Sequence, residues 1–334
     1  IQIPSSYSFP VSIRVTRVTK NKKANFKDKI KFLAMSTIIN EVQTYPKFAH
    51  TFFKFDSSQF QGLPKRIYKI RGIKVKIPII ATVDNETGAI SYPTDQTFTG
   101  VLTTTKVWTS DPAWILYELL TNSTMGLGDY ISESQLDVFS FFNASKYCGT
   151  LVENLIADGE KEPRFSLNAT LNTREDAYKV IKDICSVFRG IPFYAEGTIK
   201  LNQDSPQTTP DYIFNLSNVT PAGFTYVGTD LRERATRVTV SYFNTDTLKN
   251  DVETVDLEDL FGSSADTTAK NNLGEIHERT AAFGCTSRGQ AIRAARMLLF
   301  DEQRATQTVN FTTTLEAGVI VRVGSLIEIQ DPLK

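Results

Sequence analysis

A cysteine placed just ahead of a helical run is the first candidate for chemistry in this sequence of 334 residues: Cys285, in FGCTSRGQ. A thiolate there could be stabilised by the unpaired amides of the helix's first turn. A phosphatase-type loop also needs an arginine about six residues on, to hold a phosphate with its fork. That position is Ala291, and Arg288 comes too early. A papain-like nucleophile needs a histidine base, and the sequence has only His50 and His277 to offer. GCTSRG also lacks the glycine spacing of a serine elbow. The structural reading is therefore preferred: Thr286 or Ser287 caps the helix, and Gly284 permits the tight turn into it.

The second candidate is Gly126-Leu127-Gly128 in SDPAWILYELLTNSTMGLGDYI. A nucleotide cradle places its glycines after a strand and before a helix, so that the helix N-terminus meets the phosphate. Here they follow the helix, and together with Asn122 they read as a stop that redirects the chain. Neither histidine has a partner at the spacing of a helical zinc site. The 37 Asp and Glu residues leave a two-carboxylate site open without singling out a pair. No catalytic, cofactor-binding or metal-ligating residue is assigned, no cofactor is expected, and a non-enzymatic protein is predicted.

The elements that would position such residues fall into three stretches. Residues 1–109 read as a β-rich domain, with VSIRVTR, KFLAMSTIINEV, HTFFKF and RIYKIRGIKVKIP as strands. VDNETGAISYPTDQ reads as a loop or hairpin tip. Residues 110–222 carry three helices and a hairpin. The first is capped by Asp111 and Pro112 and buries Trp114, Tyr117 and Leu120. The second opens with Ser132 and Gln135 in capping-box spacing, with Leu136, Phe139, Phe142 and Tyr147 near one face. The third is capped by Thr173 and stopped by Gly190, with Ala177, Val180, Ile181, Ile184, Val187 and Phe188 as its apolar stripe. IPFYAEGTIKLNQD turns at Glu196-Gly197. Residues 223–334 return to strands in RVTVSYF, QTVNFTTT and VIVRVGSLIEI, with a polar loop in FGSSADTTAKNN and a helix from Ser287 to Gln303.

Composition is that of an ordinary folded chain, 41% hydrophobic and 22% charged. Net charge is zero but unevenly spread: residues 1–110 hold 17 Lys and Arg against 6 Asp and Glu, the remainder 20 against 31. A basic third can attract nucleic acid or an acidic partner. The plainer reading puts those lysines on the solvent face of a sheet, since Lys74 and Lys76 alternate with Ile73, Val75 and Ile77. Cys148, Cys185 and Cys285 read as buried thiols from a reducing compartment. No apolar run approaches a membrane span, and no signal-peptide pattern appears at this end. A start at Ile1 and a stop at QDPLK read as the middle of a longer polypeptide.

Four blocks in order resemble the lambda-type phage tail tip protein J family, also called host-specificity proteins. They are SIRVTRVT to KRIYKIRGIKVKIP, DPAWILYELLTNSTMGLGD, ATLNTREDAYKVIKDICSVFRGIPFYAEGTIKL, and AAFGCTSRGQAIRAARMLLFDEQ through VIVRVGSLIEIQD. The resemblance implies an α+β multidomain protein with β-rich hub barrels and an adjoining helical domain. It implies a trimeric hub that closes or continues the tail tube in the virion, after assembly in the host cytoplasm. Partners implied are two further copies, other tail-tip and distal tail proteins, the tape measure protein, and phage DNA passing without sequence-specific contact. A host receptor is met only through a C-terminal part beyond this sequence. The expected second barrel uses Val238, Val240 and Tyr242; Val309 and Phe311; and Val319, Val321 and Val323 as inward rows. Its helix packs through Ala291, Ala294, Ala295 and Leu298. Two other classes stay open: a nucleic-acid-binding protein using the basic first third, and a cell-wall glycan hydrolase.

Overall fold

The computed structural model describes residues 66–156, 159–171, 175–228 and 234–332, with Arg14, Thr16, Val18, His50, Thr51 and Gly62. The strands expected in VSIRVTR, KFLAMSTIINEV and HTFFKF lie outside the described residues, isolated positions aside. The chain divides into two compact units, Ile1–Ile67 and Tyr68–Lys334, and the described helices and strands belong to the second. It is a mixed α+β unit of short sheets and helices around three hydrophobic cores.

Helix α1, Pro112–Thr121, begins where local chemistry expects. Asp111 is extended, its carboxylate accepts the Trp114 amide, and Pro112 takes the first helical position. Trp114, Leu116, Tyr117 and Leu120 are buried. Asn122 ends the helix, as expected, and the two glycines lie beyond its cap rather than sharing in the stop. They let the chain fold back on the helix end. The Leu127 and Gly128 amides donate to the carbonyls of Leu119 and Asn122, at 2.9 and 3.1 Å. A Cβ on Gly126 would stand 1.9 Å from the Leu119 oxygen, and one on Gly128 2.2 Å from that of Thr121.

Helix α2, Val138–Cys148, corrects the expected cap. The Ser132–Gln135 box closes a single 3-10 turn, Glu133–Gln135, and Asp137 caps α2 itself through the Phe139 amide. Its buried face is Phe141, Ala144, Ser145 and Cys148 rather than the row through Phe139 and Tyr147. Helix α3, Ala177–Phe188, is capped by Asp176; Thr173 lies outside the described residues. The left-handed residue that stops α3 is Arg189 (φ 60°), and Gly190 already begins the next strand. Asp176→Ala should therefore cost about 1 kcal/mol in urea unfolding, the usual loss for an N-cap carboxylate. An unchanged midpoint would remove Asp176 from that role.

The three helices share the first core with Val75, Ile77, Ile90, Leu167 and Leu201. Thr82–Val83 and Ile90–Ser91 form the expected hairpin. Gly190–Ala195 and Thr198–Gln203 form another, turning at Glu196-Gly197 as the sequence suggests. Lys74–Val75 pairs with Val107–Trp108. Lys74 is exposed while Val75 and Ile77 point inward, although Ile73 faces solvent.

The second core is built on the strand Arg237–Asn244. It is antiparallel to Lys249–Asp256 and parallel to His277–Ala281. Val238, Val240 and Tyr242 point inward, as their alternation predicts. Helices α4, Leu257–Phe261, and α5, Ser263–Leu273, lie in sequence between Lys249–Asp256 and His277–Ala281. The expected loop FGSSADTTAKNN is thus mostly helix. Among the residues whose burial is described, Asp266 is the only buried side chain of α5, so little apolar periodicity betrays it. Helix α6, Arg288–Arg304, packs on the sheet through Ala291, Ala295 and Leu299. Ala294 and Leu298 sit at the margin of that contact, one residue round from the expected stripe.

The third core gathers Phe214, Val219 and Ala317 with Tyr212, Phe224, Phe311, Val321 and Ile327. Tyr212–Asn215 runs parallel to Ile327–Gln330, and Thr225–Gly228 antiparallel to Gln307–Asn310. This core therefore takes segments from both sides of the second in sequence. VIVRVGSLIEI is not one strand. Its first two residues end helix α7, Leu315–Ile320, and only Ile327–Gln330 is extended in a ladder. Val319 and Val323 are 67% and 56% exposed, so they fill no interior. The expected barrel of RVTVSYF, QTVNFTTT and VIVRVGSLIEI is not what these strands build, because each pairs in a different sheet.

Candidate functional site

Cys285 lies where its place in the sequence suggests, beside the N-terminus of α6. Ser287 caps that helix by accepting the Gln290 amide at 3.3 Å, and Gly284 (φ 59°) turns the chain into it. The free N-terminal end is already filled. Glu162, from the strand Lys161–Pro163, accepts the Ser287 hydroxyl with one oxygen and Arg293 Nη1 at 2.6 Å with the other. Its carboxylate meets the positive end of the helix dipole, the place an external anion would need. A Cβ on Gly289 would lie 2.1 Å from the Asn154 carbonyl oxygen, so that residue's lack of a side chain permits the approach.

These contacts push Cys285 away from nucleophilic chemistry. Its thiol is buried and donates to the Ser287 carbonyl oxygen at 3.2 Å. Burial pushes its pKa up to about 11, with the nearby Glu162 carboxylate adding to the rise. Burial also raises the Cys185 thiol, to about 12, and holds the Cys148 thiol well above its ordinary value. All three cysteines are free and buried.

Glu162 and Arg293 belong to a larger polar junction between α6 and the first core. Arg293 also donates to the carbonyls of Glu153, Pro163 and Arg164. Gln290, buried, accepts from the amide and hydroxyl of Ser166 and donates to its carbonyl at 3.1 Å. Asn168 reaches Thr286 and the Gly284 carbonyl. Nothing in the spacing of these residues announces the junction, since its partners lie more than 100 positions apart.

A second polar cluster lies inside the first core. Trp114 Nε1 donates to the Tyr92 hydroxyl at 2.8 Å, which lies 2.6 Å from Ser145 Oγ. Ser145 donates to Asp111 Oδ2 at 2.8 Å, and Asp111 Oδ1 accepts the Trp114 amide at 3.0 Å. Ser145 has a single hydroxyl proton and gives it to Asp111, so Tyr92 must donate to Ser145. The bonds thus run one way, from the Trp114 ring through Tyr92 and Ser145 to the carboxylate, and return through the Trp114 backbone. Burial raises the Asp111 pKa to about 6 against the three hydrogen bonds that lower it, and it holds the Tyr92 phenol well above its ordinary range.

His277 joins neither cluster. His277 Nε2 lies 2.7 Å from Thr239 Oγ1 on the exposed sheet face, and His50 belongs to the other unit. Among the described residues no three His, Cys, Asp or Glu side chains form a metal-binding group. Among the described residues, no helix is long and apolar enough to cross a membrane. A cleft of about 410 Å³ is lined by Lys76, Tyr117, Glu133, Thr103, Thr104 and Ser134, among others. The Lys76–Glu133 ion pair (2.6 Å) belongs to it, and burial with the Glu133 charge lifts Tyr117 to about 12. Lys76 and Lys106 each pair with a carboxylate from residues 110–334, so part of the uneven charge is neutralised within the chain.

The comparisons with known proteins agree among themselves. A family model described as "Putative phage tail protein" matches residues 176–334. The chain is 33% identical over 322 residues to the tip attachment protein J of Escherichia phage SECphi27, covering 96% of this chain and 25% of that protein. It is 24% identical over 332 residues to the tip attachment protein J of Escherichia phage SECphi4, covering 99% and 27%. The chain spans about a quarter of the length of the curated relatives it matches.

Proposed function

The chain is a homologue of the lambda-type tail tip protein J, and on that premise we propose that it is a structural part of a phage tail tip, located in the virion. The observation that carries the proposal is the 33% identity extending over 96% of the chain. In finer detail, three copies form a hub that closes or continues the tail tube. Residues 1–109, 110–222 and 223–334 are its three parts. The hub is assembled in the host cytoplasm. It contacts other tail-tip and distal tail proteins and the tape measure protein, and it takes part in host attachment and genome ejection. DNA passes through its channel without sequence-specific contact, and the receptor is met by polypeptide beyond Lys334.

A protein of this kind needs packed cores and firm junctions rather than a reactive pocket. The occupied N-terminus of α6 and the raised Cys285 thiol support a role without catalysis. A closed ring needs a heterologous interface, in which one patch of each copy meets a different patch on the next. Cryo-electron microscopy of the assembled tip should show three copies of this chain around the tail axis. Six copies, or a two-fold pair, would reject the hub. Exchanging residues 1–334 for those of a related phage should leave host range unchanged, and a switch of host would assign receptor choice to this segment instead.

A further inference from the structure

Lys106, Glu118 and Asn122 meet on one carboxylate oxygen at the C-terminal end of α1. Glu118, on α1, is buried, with its side chain 8% exposed. One of its oxygens, Oε1, takes two donors: Lys106 Nζ in an ion pair, and Asn122 Nδ2 at 2.8 Å. The other end of the Asn122 carboxamide is also held. Its Oδ1 accepts the backbone amides of Thr124 and Met125, at 2.8 and 3.0 Å. An amine, an amide nitrogen and a shared carboxylate oxygen therefore stand together, and the amide's carbonyl oxygen points at two fixed donors.

Each part matches a requirement of amide exchange. A lysine becomes a nucleophile when a neighbour takes its proton. A carboxylate touching both nitrogens can remove a proton from one and deliver it to the other. Two backbone N–H groups on the carbonyl oxygen stabilise the charge that develops there during attack. Holding both nitrogens on one carboxylate oxygen replaces an encounter with a step within one molecule.

We infer that the folded chain joins Lys106 to Asn122 by an isopeptide bond between Nζ and Cγ, with Glu118 as the proton carrier. Glu118 takes a proton from the Lys106 ammonium, and the freed amine attacks Asn122 Cγ. Negative charge collects on Oδ1 against the Thr124 and Met125 amides. Protons pass through Glu118 from Nζ to Nδ2, the Cγ–Nδ2 bond breaks, and ammonia leaves. One C–N bond forms and one breaks; no oxidant or reductant is needed. The product ties the approach to the strand Val107–Trp108 to the far end of α1.

Mass spectrometry of the natively purified protein tests this. The intact mass should fall short of the sequence mass by about 17 Da, one ammonia. Trypsin should fail to cut after Lys106, leaving Ile77–Lys146 as one peptide that carries the deficit, because no other Lys or Arg lies between them. Glu118→Gln should restore both the full mass and the cut. Wild-type protein at its full sequence mass would reduce the group to a helix cap with an ion pair and overturn the proposal. So would the mass deficit with normal cleavage after Lys106, which indicates a cyclic imide at Asn122. A cross-link that persists in Glu118→Gln would remove Glu118 as proton carrier and overturn the mechanism.

Discussion

Glu162→Ala should lower the thermal unfolding midpoint by roughly 4–6 °C, equivalent to about 3 kcal/mol for a chain of this size. The carboxylate and its partner Arg293 are both about four-fifths buried, at 19% and 18% side-chain exposure. Removing the acid leaves a guanidinium enclosed among carbonyls, and it also takes the acceptor from Ser287. The dominant cost is the stranded charge rather than the lost contact. Glu162→Ala and Arg293→Ala combined should thus cost less than the sum of the two single changes, because the pair leaves together. Additive losses would show that the two side chains act independently. Glu162→Gln should fall between wild type and Ala, as it can still accept from Ser287.

At Asp111 the expected result is a pH dependence opposite to that of most buried acids in ion pairs. Its native pKa of about 6 lies above the ordinary value of 3.8. The folded state therefore binds the proton more tightly than the unfolded one between those limits. The stability from this group is fully present below about pH 4 and is lost as pH rises through 6, by about 3 kcal/mol in all. Asp111→Asn carries no such titration. The stability difference between wild type and Asp111→Asn should shift by on the order of 2–3 kcal/mol in favour of Asn between pH 4 and pH 7.5. A constant difference across that range would reject the buried, raised carboxylate. Asp111→Ala should cost about 2–3 kcal/mol near pH 5, since the α1 cap is lost and the Ser145 hydroxyl is left without its acceptor.

Local chemistry made parts of the fold legible. Asp111-Pro112 ahead of Trp114 marks a helix start in any context, and the alternation of Val238, Val240 and Tyr242 marks a strand with one buried face. Where two candidates compete within a few residues the sequence is ambiguous. Asp137 rather than Ser132 caps α2, because a single 3-10 turn intervenes. Polar α5 buries almost nothing that apolar spacing could reveal. In VIVRVGSLIEI the alternation imitates a strand, yet Ala317, just upstream, is the buried residue that anchors the turn of α7. The Glu162–Arg293 junction is invisible for a different reason: it joins residues 131 apart, and only the packed cores bring them together. Lys106, Glu118 and Asn122 were within reach, as Glu118 and Asn122 share a helix face, but Lys106 enters through strand pairing.

The third core, assembled from segments on either side of the second, imposes an order of events. Residues 237–304 can complete their sheet and its covering helix from contacts within one continuous stretch. Tyr212–Asn215 has no ladder partner until Ile327–Gln330 arrives, and Thr225–Gly228 waits for Gln307–Asn310. Long loops must close before such pairings return any free energy, which makes them slow. The intervening lobe shortens that search once folded, because it brings Ala235 and Arg304 to the same end of its sheet, where Gln303 donates to the Ala235 carbonyl at 2.9 Å. During synthesis the second core can close early, while the third is withheld until the chain has been made almost to Gln330.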